Sequence, residues 1–356
     1  MRAMHLAPSK LVMRNWLRRT ILIAFAALGL LALATALSPS RQVTLTAAET
    51  TPTKEPEHLD PAAWGADHVG QELPEFVDSG ECLFCHRNDI GPTWEKNPHS
   101  QSIKDARPDM PAMRALADDP VTRAVAAETQ MTLGGRHATS FLRRGAEFGA
   151  FDLLAAHATP GRGSRWRLHA ASAEWDTTRF AQGCVGCHCT AVEPDTHAFL
   201  VASIDCYACH GAAPLEHSTD TKLMPLAHAR HDAPRVVTSI CAQCHIRFGK
   251  SKSSGLPYPN NFVADDNLFK DFQFDWSLAD DPQVNPGDRH VLDNIRQVAL
   301  LGNEQFTCLS CHDVHRGTSV KHRDLPDAAY CAHCHEPGKS KKEHIKYEVR
   351  SSLCGY

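Results

Sequence analysis

Six times in this chain two cysteines separated by two residues are followed directly by a histidine. The motifs are Cys82-Cys85-His86, Cys184-Cys187-His188, Cys206-Cys209-His210, Cys241-Cys244-His245, Cys308-Cys311-His312 and Cys331-Cys334-His335. Random placement at this composition yields roughly 0.03 such motifs. On one turn of helix, positions i and i+3 share a face and i+4 follows on the same side. Two thiols so placed reach the two vinyl groups of one porphyrin and form thioethers, and the histidine comes under the ring to ligate the iron. That is the attachment chemistry of c-type haem. Cys187 to Cys206 and Cys311 to Cys331 also stand at zinc-ribbon spacing, and Cys-x-x-Cys alone serves redox chemistry. Neither alternative gives a reason for a histidine after the second cysteine in all six cases. The expectation is six covalently bound haem c groups, with His86, His188, His210, His245, His312 and His335 as proximal iron ligands. Cys189 and Cys354 stand outside the pattern. Cys189 is either a spare thiol, half of a disulfide with Cys354, or a modification site.

The rest of the chain must deliver these motifs to the right compartment and hold them. It has 356 residues, 22% charged and 42% hydrophobic, with a net charge of -4. No basic surplus exists to neutralise phosphates, so no nucleic-acid partner is expected. Residues 1–20 carry Arg2, Lys10, Arg14, Arg18 and Arg19 and no acid, and an apolar run from Ile21 to Leu37 follows. A basic flank before an apolar run is an export signal. Residues 1–39 are therefore either a signal peptide, with Ala34-Thr35-Ala36 as a small-x-small cleavage site, or a retained membrane anchor. Both options place the rest in the periplasm or on the outer face of the cytoplasmic membrane, and both exclude His5 as an iron ligand.

Residues 40–75 read as a linker rich in Thr, Pro, Glu and Ala, and residues 76–340 as the multihaem domain, with 341–356 as a C-terminal tail. The motifs begin at 82, 184, 206, 241, 308 and 331. The short intervals suggest two tight haem pairs, and the longest one isolates the first haem in sequence. Residues 105–180 are the one stretch suited to a conventional small subdomain. Met110 to Gln130 reads as helix and Met131 to Leu154 as strand and turn. Trp166 and Trp175 are expected to pack inside it. Residues 250–290, rich in Pro, Asn and Asp, read as a long loop. With about 50 exported residues per haem, the polypeptide has little core of its own, and the porphyrins supply it. The expected fold is mainly α with long irregular loops, organised around stacked haems, with a small α+β insertion at about 105–180.

Fifteen histidines beyond the proximal six follow the leader, against four methionines, Met110, Met113, Met131 and Met224. Bis-His ligation is therefore the default, which implies low potentials.

The first site continues through Trp94 to Pro98-His99-Ser100. The middle reads Cys206-Tyr-Ala-Cys-His-Gly211, then Glu216-His217, then Cys241-Ala-Gln-Cys-His-Ile-Arg247. The end reads Cys308-Leu-Ser-Cys-His312-Asp-Val-His315, then Cys331-Ala-His-Cys-His335. Over about 80–337, with gaps, this resembles the multihaem cytochromes c related to the tetrahaem carrier of ammonia oxidation. Hydroxylamine oxidoreductase and pentahaem nitrite reductase belong to the same broad lineage. The resemblance implies His99, His217 and His315 as distal ligands of neighbouring haems. His290, His322 and His137 are further candidates, with His228 and His231 as alternatives. His333, inside the last motif, is expected to face solvent.

Two functions follow. An electron carrier needs only closed, closely spaced haems and redox partners, such as a membrane quinol-oxidising complex or a periplasmic reductase or oxidase. An oxidoreductase acting on a small nitrogen or sulfur oxide needs one open iron. All six motifs end in His, so the Cys-x-x-Cys-Lys motif of nitrite reductases is missing, and no Tyr stands in a cross-linking motif. The carrier is the primary reading. A third, compatible role is that of a docking subunit in a larger redox complex, with 105–180 as the partner surface.

Overall fold

The computed structural model describes residues 74–135, 137–302 and 307–316. The leader, the sixth motif with Cys331, Cys334 and His335, the candidate ligand His322, and Cys354 lie outside them.

The chain enters through α1 (Ser79–His86) and a single turn, α2 (Gly91–Trp94). The Asp78 carboxylate accepts from the Gly80 N–H and caps α1. A meander of antiparallel strands follows: β1 (Ile103–Asp105), then helix α3 (Pro111–Asp118), then β2 (Met131–Gly134), β3 (Thr139–Arg144), β4 (Phe151–Pro160) and β5 (Trp166–Asp176). They form one five-stranded sheet in the order β1-β2-β3-β4-β5. This sheet corrects the mainly α expectation: the described chain is a mixture of helix and strand. The motif helices are mostly single turns, too short to dominate, while β4 and β5 are the longest elements between the first two motifs.

Helix α3 ends well before Gln130 for a local reason. Pro120 lacks an N–H and disfavours helical backbone at the residue before it, and Asp119 is indeed extended. The inner strands β3 and β4 are buried on both faces over much of their length, while β5 is half-buried to exposed. Phe141, Leu154, Ala156 and Ala158 meet Met113 and Leu116 of α3, with Trp166 and Trp175 packed at the margin. Leu133, Leu142, Phe151 and Leu153 face the other way, against Phe180, Val185, Phe199 and Tyr258. A strand covered on both faces shows no polar alternation, hence the run Phe151-Asp-Leu-Leu-Ala-Ala. The second face shares its core with the second motif, since Cys184, Val185 and Cys189 belong to the same cluster. The sheet thus serves as the wall on which that motif rests.

Beyond β5 come α4 (Arg179–Gly183), α5 (Val185–His188), the hairpin β6 (Cys189–Val192) and β7 (Phe199–Ala202), and the turn α6 (Tyr207–His210). Helix α7 (Pro234–His245) carries the fourth motif. Between 250 and 290 the chain forms short pieces rather than bare loop. They are β8 (Lys250–Ser251) paired with β9 (Phe272–Gln273), α8 (Leu268–Asp271) and a 3-10 turn, Trp276–Ala279. Asp271 holds the return, accepting from the Ser253 N–H at 2.8 Å and from the Ser251 and Ser253 hydroxyls. Leu268, Phe269 and Phe272 then pack with Ala242 and Ile246 of the fourth-motif segment and with Ile295 and Ala299 of α9 (Pro286–Ala299). The last described helix is α10 (Cys308–Cys311), opened by a reciprocal Thr307–Ser310 cap. Among the described residues no helix is long and apolar enough to cross a membrane.

Candidate haem sites

Every described motif includes a helical turn. The first ends α1 and the fourth ends α7; the second and third run from the N-cap residues Cys184 and Cys206 into α5 and α6, and the fifth has Cys308 and Cys311 on α10 with His312 extended just beyond it. The thioether spacing read from the sequence is therefore present as helix geometry. After the third motif the backbone leaves α6 through Gly211 at φ 63° and ψ -158°, a conformation essentially confined to glycine. Cys82, Cys85, Cys187, Cys206, Cys209, Cys241, Cys244 and Cys308 are free thiols. Cys184 is disulfide-bonded. A thioether at that sulfur and a disulfide exclude one another, so loading of the second motif through both cysteines requires Cys184 to be reduced. Cys189 is a buried free thiol on β6, and burial pushes it well above the usual thiol range.

Tertiary structure pairs the motifs differently from the sequence intervals. The β6–β7 hairpin separates the second and third motifs along the chain. The Cys82 thiol instead meets Cys206, joining the first motif to the third. Cys187 meets Cys244, joining the second to the fourth, and Cys241 meets Cys308, joining the fourth to the fifth. The Cys187 and Cys244 thiols also reach the carbonyls of Gln243 and Gly186. The Gln243 amide donates to the Ala208 carbonyl at 3.0 Å, tying the fourth motif to the third. The turns of the second, third and fifth motifs thus converge on α7, and the first joins them through the third.

The histidines around this convergence form two cross-motif pairs. His99, in the loop after α2, faces His245 of the fourth motif with ring centroids 6.2 Å apart and planes at 73°. His315, after α10, faces His210 of the third motif at 6.0 Å and 29°. A metal ion bound by two imidazoles at about 2 Å each sets the ring centroids about 6 Å apart. Exposed His228 and His231 also stand 6.1 Å apart, so distance alone is not diagnostic. The two pairs are singled out because each joins a motif histidine to one from another part of the chain.

The ring nitrogens are held as iron ligation requires. His210 Nδ1 donates to the Pro225 carbonyl at 2.7 Å, which leaves Nε2 for a metal. His99 Nδ1 lies 3.1 Å from Asn97 Oδ1, with the same consequence. Trp94, buried, stands between the two sites, 6.5 Å from His99 and 6.3 Å from His315. Burial lowers the pKa of His99, His210 and His315, keeping them neutral, the state that binds metals.

Two observations test whether a haem fits. His245 is open to solvent, yet protein crowds it closely enough to push its pKa down to about 4, mainly by desolvation and then by its neighbours His99, His312 and Arg247. His188 is likewise pushed down to about 4 by desolvation and by Arg247, and its buried Nδ1 has no hydrogen-bond partner. An imidazole with an unpartnered nitrogen in such a place is the donor an iron would take. The residues therefore fit haem.

The other candidates fare differently. His217 is half-buried on a 3-10 turn, Leu215–Ser218, with Nδ1 donating to the Pro214 carbonyl at 2.6 Å. Its geometry leaves Nε2 available, but no ring contact links it to a described motif histidine. His290 is exposed on α9 and His137 is exposed in the turn between β2 and β3. Neither is brought to a described motif by a ring contact.

Two residues escaped sequence reading. Asn97 is fully buried and holds His99; a polar residue before Pro-His reads as a turn. Tyr258 lies in the segment expected as loop, yet its ring covers Gly186 of the second motif and its hydroxyl donates to the Ala181 carbonyl. A Cβ at Gly186 would come 2.2 Å from the Tyr258 ring. Gly186→Ala is expected to cost about 1–3 kcal/mol through overpacking, read as a lowered unfolding midpoint. An unchanged midpoint would show that the Tyr258 ring does not seal this motif.

No protein-family model and no curated protein matches the chain. Among solved structures, the undecaheme cytochrome from the S-layer of Carboxydothermus ferrireducens is similar with a TM-score of 0.40 and 16% identity. The match covers 75% of this chain and 44% of that one, so this chain spans less than half of that protein's length.

Proposed function

We propose that this chain is an exported electron-transfer cytochrome that holds six haem c groups, one per Cys-x-x-Cys-His motif, mostly with two histidine ligands each. The observation that carries the reading is the pair of cross-motif imidazole contacts, His99 with His245 and His210 with His315, each at the span that one metal ion between two rings requires. When bound, haem supplies reversible one-electron chemistry. The chain's own contribution is positional. Motif cysteines fix each porphyrin by two sulfurs, carbonyls such as that of Pro225 fix the tautomer of the ligating rings, and burial keeps those rings neutral. The contact of Cys82 with Cys206, Cys187 with Cys244 and Cys241 with Cys308 supports a connected series of haems, with the fourth adjoining the second, third and fifth. Two axial histidines leave an iron no position for substrate, which favours carriage of electrons over catalysis at those two sites. Redox proteins are the partners, and the lineage suggested by the motifs is that of the ammonia-oxidation cytochromes.

Mass spectrometry of the denatured, exported protein tests the count. Six added haem masses are expected; zinc without haem would end the reading, and five would match retention of the Cys184 disulfide. A reporter fused after residue 45 is expected to be active only outside the cytoplasm; activity inside would contradict export.

A further inference from the structure

The loop after the first motif contains one side chain that reaches both cross-motif histidine pairs. Asn97 is 0% exposed. Its Nδ2 donates to the carbonyl of Val314, the residue before His315. Its Oδ1 accepts from the His99 backbone N–H at 3.0 Å and lies 3.1 Å from His99 Nδ1. These partners also fix the amide's orientation, since a carbonyl needs the NH2 end and a backbone N–H needs the oxygen. An amide oxygen only accepts, so the proton of His99 must sit on Nδ1, which leaves Nε2 unprotonated in a ring that faces His245. The segment is braced around this side chain. The Ser100 hydroxyl donates to the carbonyls of Trp94 and, at 3.1 Å, Asn97, and the Gln101 N–H donates to the Asn97 carbonyl at 2.9 Å. A buried amide with both ends engaged is expensive to disturb, since removing it leaves a carbonyl and an imidazole N–H without partners.

We propose that Asn97 is a positioning residue shared by two haem sites: its oxygen sets the tautomer and direction of His99 at the fourth site, and its NH2 sets the backbone that presents His315 at the third. This rests on the haem reading above. The structural consequence is that two irons bound to motifs 35 residues apart in sequence have one common support. A change at residue 97 therefore acts on both at once.

The test uses the full-length haem-loaded protein, low-temperature EPR and potentiometric titration, with haem mass as a control. His99→Met and His315→Met first assign the two signals, because each replaces one axial ligand and moves one haem to higher potential. Asn97→Leu, similar in size and without polar ends, is then expected to alter those same two signals and leave the others in place, with the haem mass unchanged. Asn97→Asp keeps an acceptor for His99 Nδ1–H and loses the donor to Val314. It is expected to leave the fourth haem low-spin with a lowered midpoint, because a carboxylate makes the imidazole a stronger donor to ferric iron, while the third haem's signal changes. An effect of Asn97→Leu on one signal only, or on none, would overturn the shared role. If Asn97→Leu fails to accumulate, Asn97→Asp decides: unchanged spectra and midpoints at both sites would equally overturn it. Absence of haem from the unmodified protein would instead sink the haem reading, a result the mass measurement separates from the others.

Discussion

Changing Cys206 and Cys209 together to Ala is expected to remove one haem and most of the folded protein. The third motif links the first motif to the fourth: Cys206 meets Cys82 of the first, and Ala208 accepts from Gln243 of the fourth. Between the two cysteines, Tyr207 is buried, sets its ring edge-on to Phe76 at 5.3 Å, and donates its hydroxyl to the Pro74 carbonyl at 2.8 Å. On the proposed haem reading, a porphyrin there would lose its covalent tie and the space beside His210 would lose its filling. Loss of a bound prosthetic group belongs to the few single-site changes that exceed about 4 kcal/mol. That is a large part of a typical domain's stability of about 5–15 kcal/mol. The measurement is the yield of soluble exported protein together with haem mass. A variant that accumulates normally with its full complement of haem would show that these sulfurs do not hold it.

His99→Ala and His315→Ala are each expected to convert one low-spin haem to high-spin while the haem mass stays the same. The reason is geometric. Each residue faces a motif histidine, His245 or His210, at the separation set by one iron, and neither belongs to a motif, so its loss opens an axial position without touching the thioethers. The affected haem should also shift to higher potential, because a strong basic ligand that favours ferric iron is gone. A stoichiometric new high-spin signal, and binding of cyanide to it, is the effect to look for. Unchanged spectra for His99→Ala and His315→Ala would remove the axial pairing and with it the main support for the closed sites of a carrier. A stoichiometric high-spin haem that binds nitrite, hydroxylamine or cyanide in the unmodified protein would favour an oxidoreductase instead.

The attachment chemistry was legible in the chain because it is local. Cys, Cys and His at i, i+3 and i+4 need only one turn of helix to share a face, and each described motif includes a helical turn, complete in the first and fourth. The same locality explains the stop of α3 at Pro120 and the glycine after His210. The five-stranded sheet was underestimated because both of its faces are covered, by α3 on one side and by the second motif's cluster on the other. Its inner strands β3 and β4 therefore lack the alternation by which strands are read. Tyr258 was hidden for the related reason that a segment poor in local pattern can still lay one ring on a distant glycine.

What the sequence by itself determined is the identity of the groups: twelve motif cysteines, six motif histidines, and a surplus of further histidine over methionine. Only the tertiary structure decided which of them meet. His99 stands far from His245 in sequence, and His315 from His210, yet both pairs close to about 6 Å, while His217, nearer in sequence to His210, makes no such ring contact. A motif read along one turn depends on backbone dihedrals alone. A pair across the fold depends on where the hairpin β6–β7, helix α7 and the buried Asn97 bring separate stretches of chain together, and those contacts are set by packing between segments that no local spacing encodes.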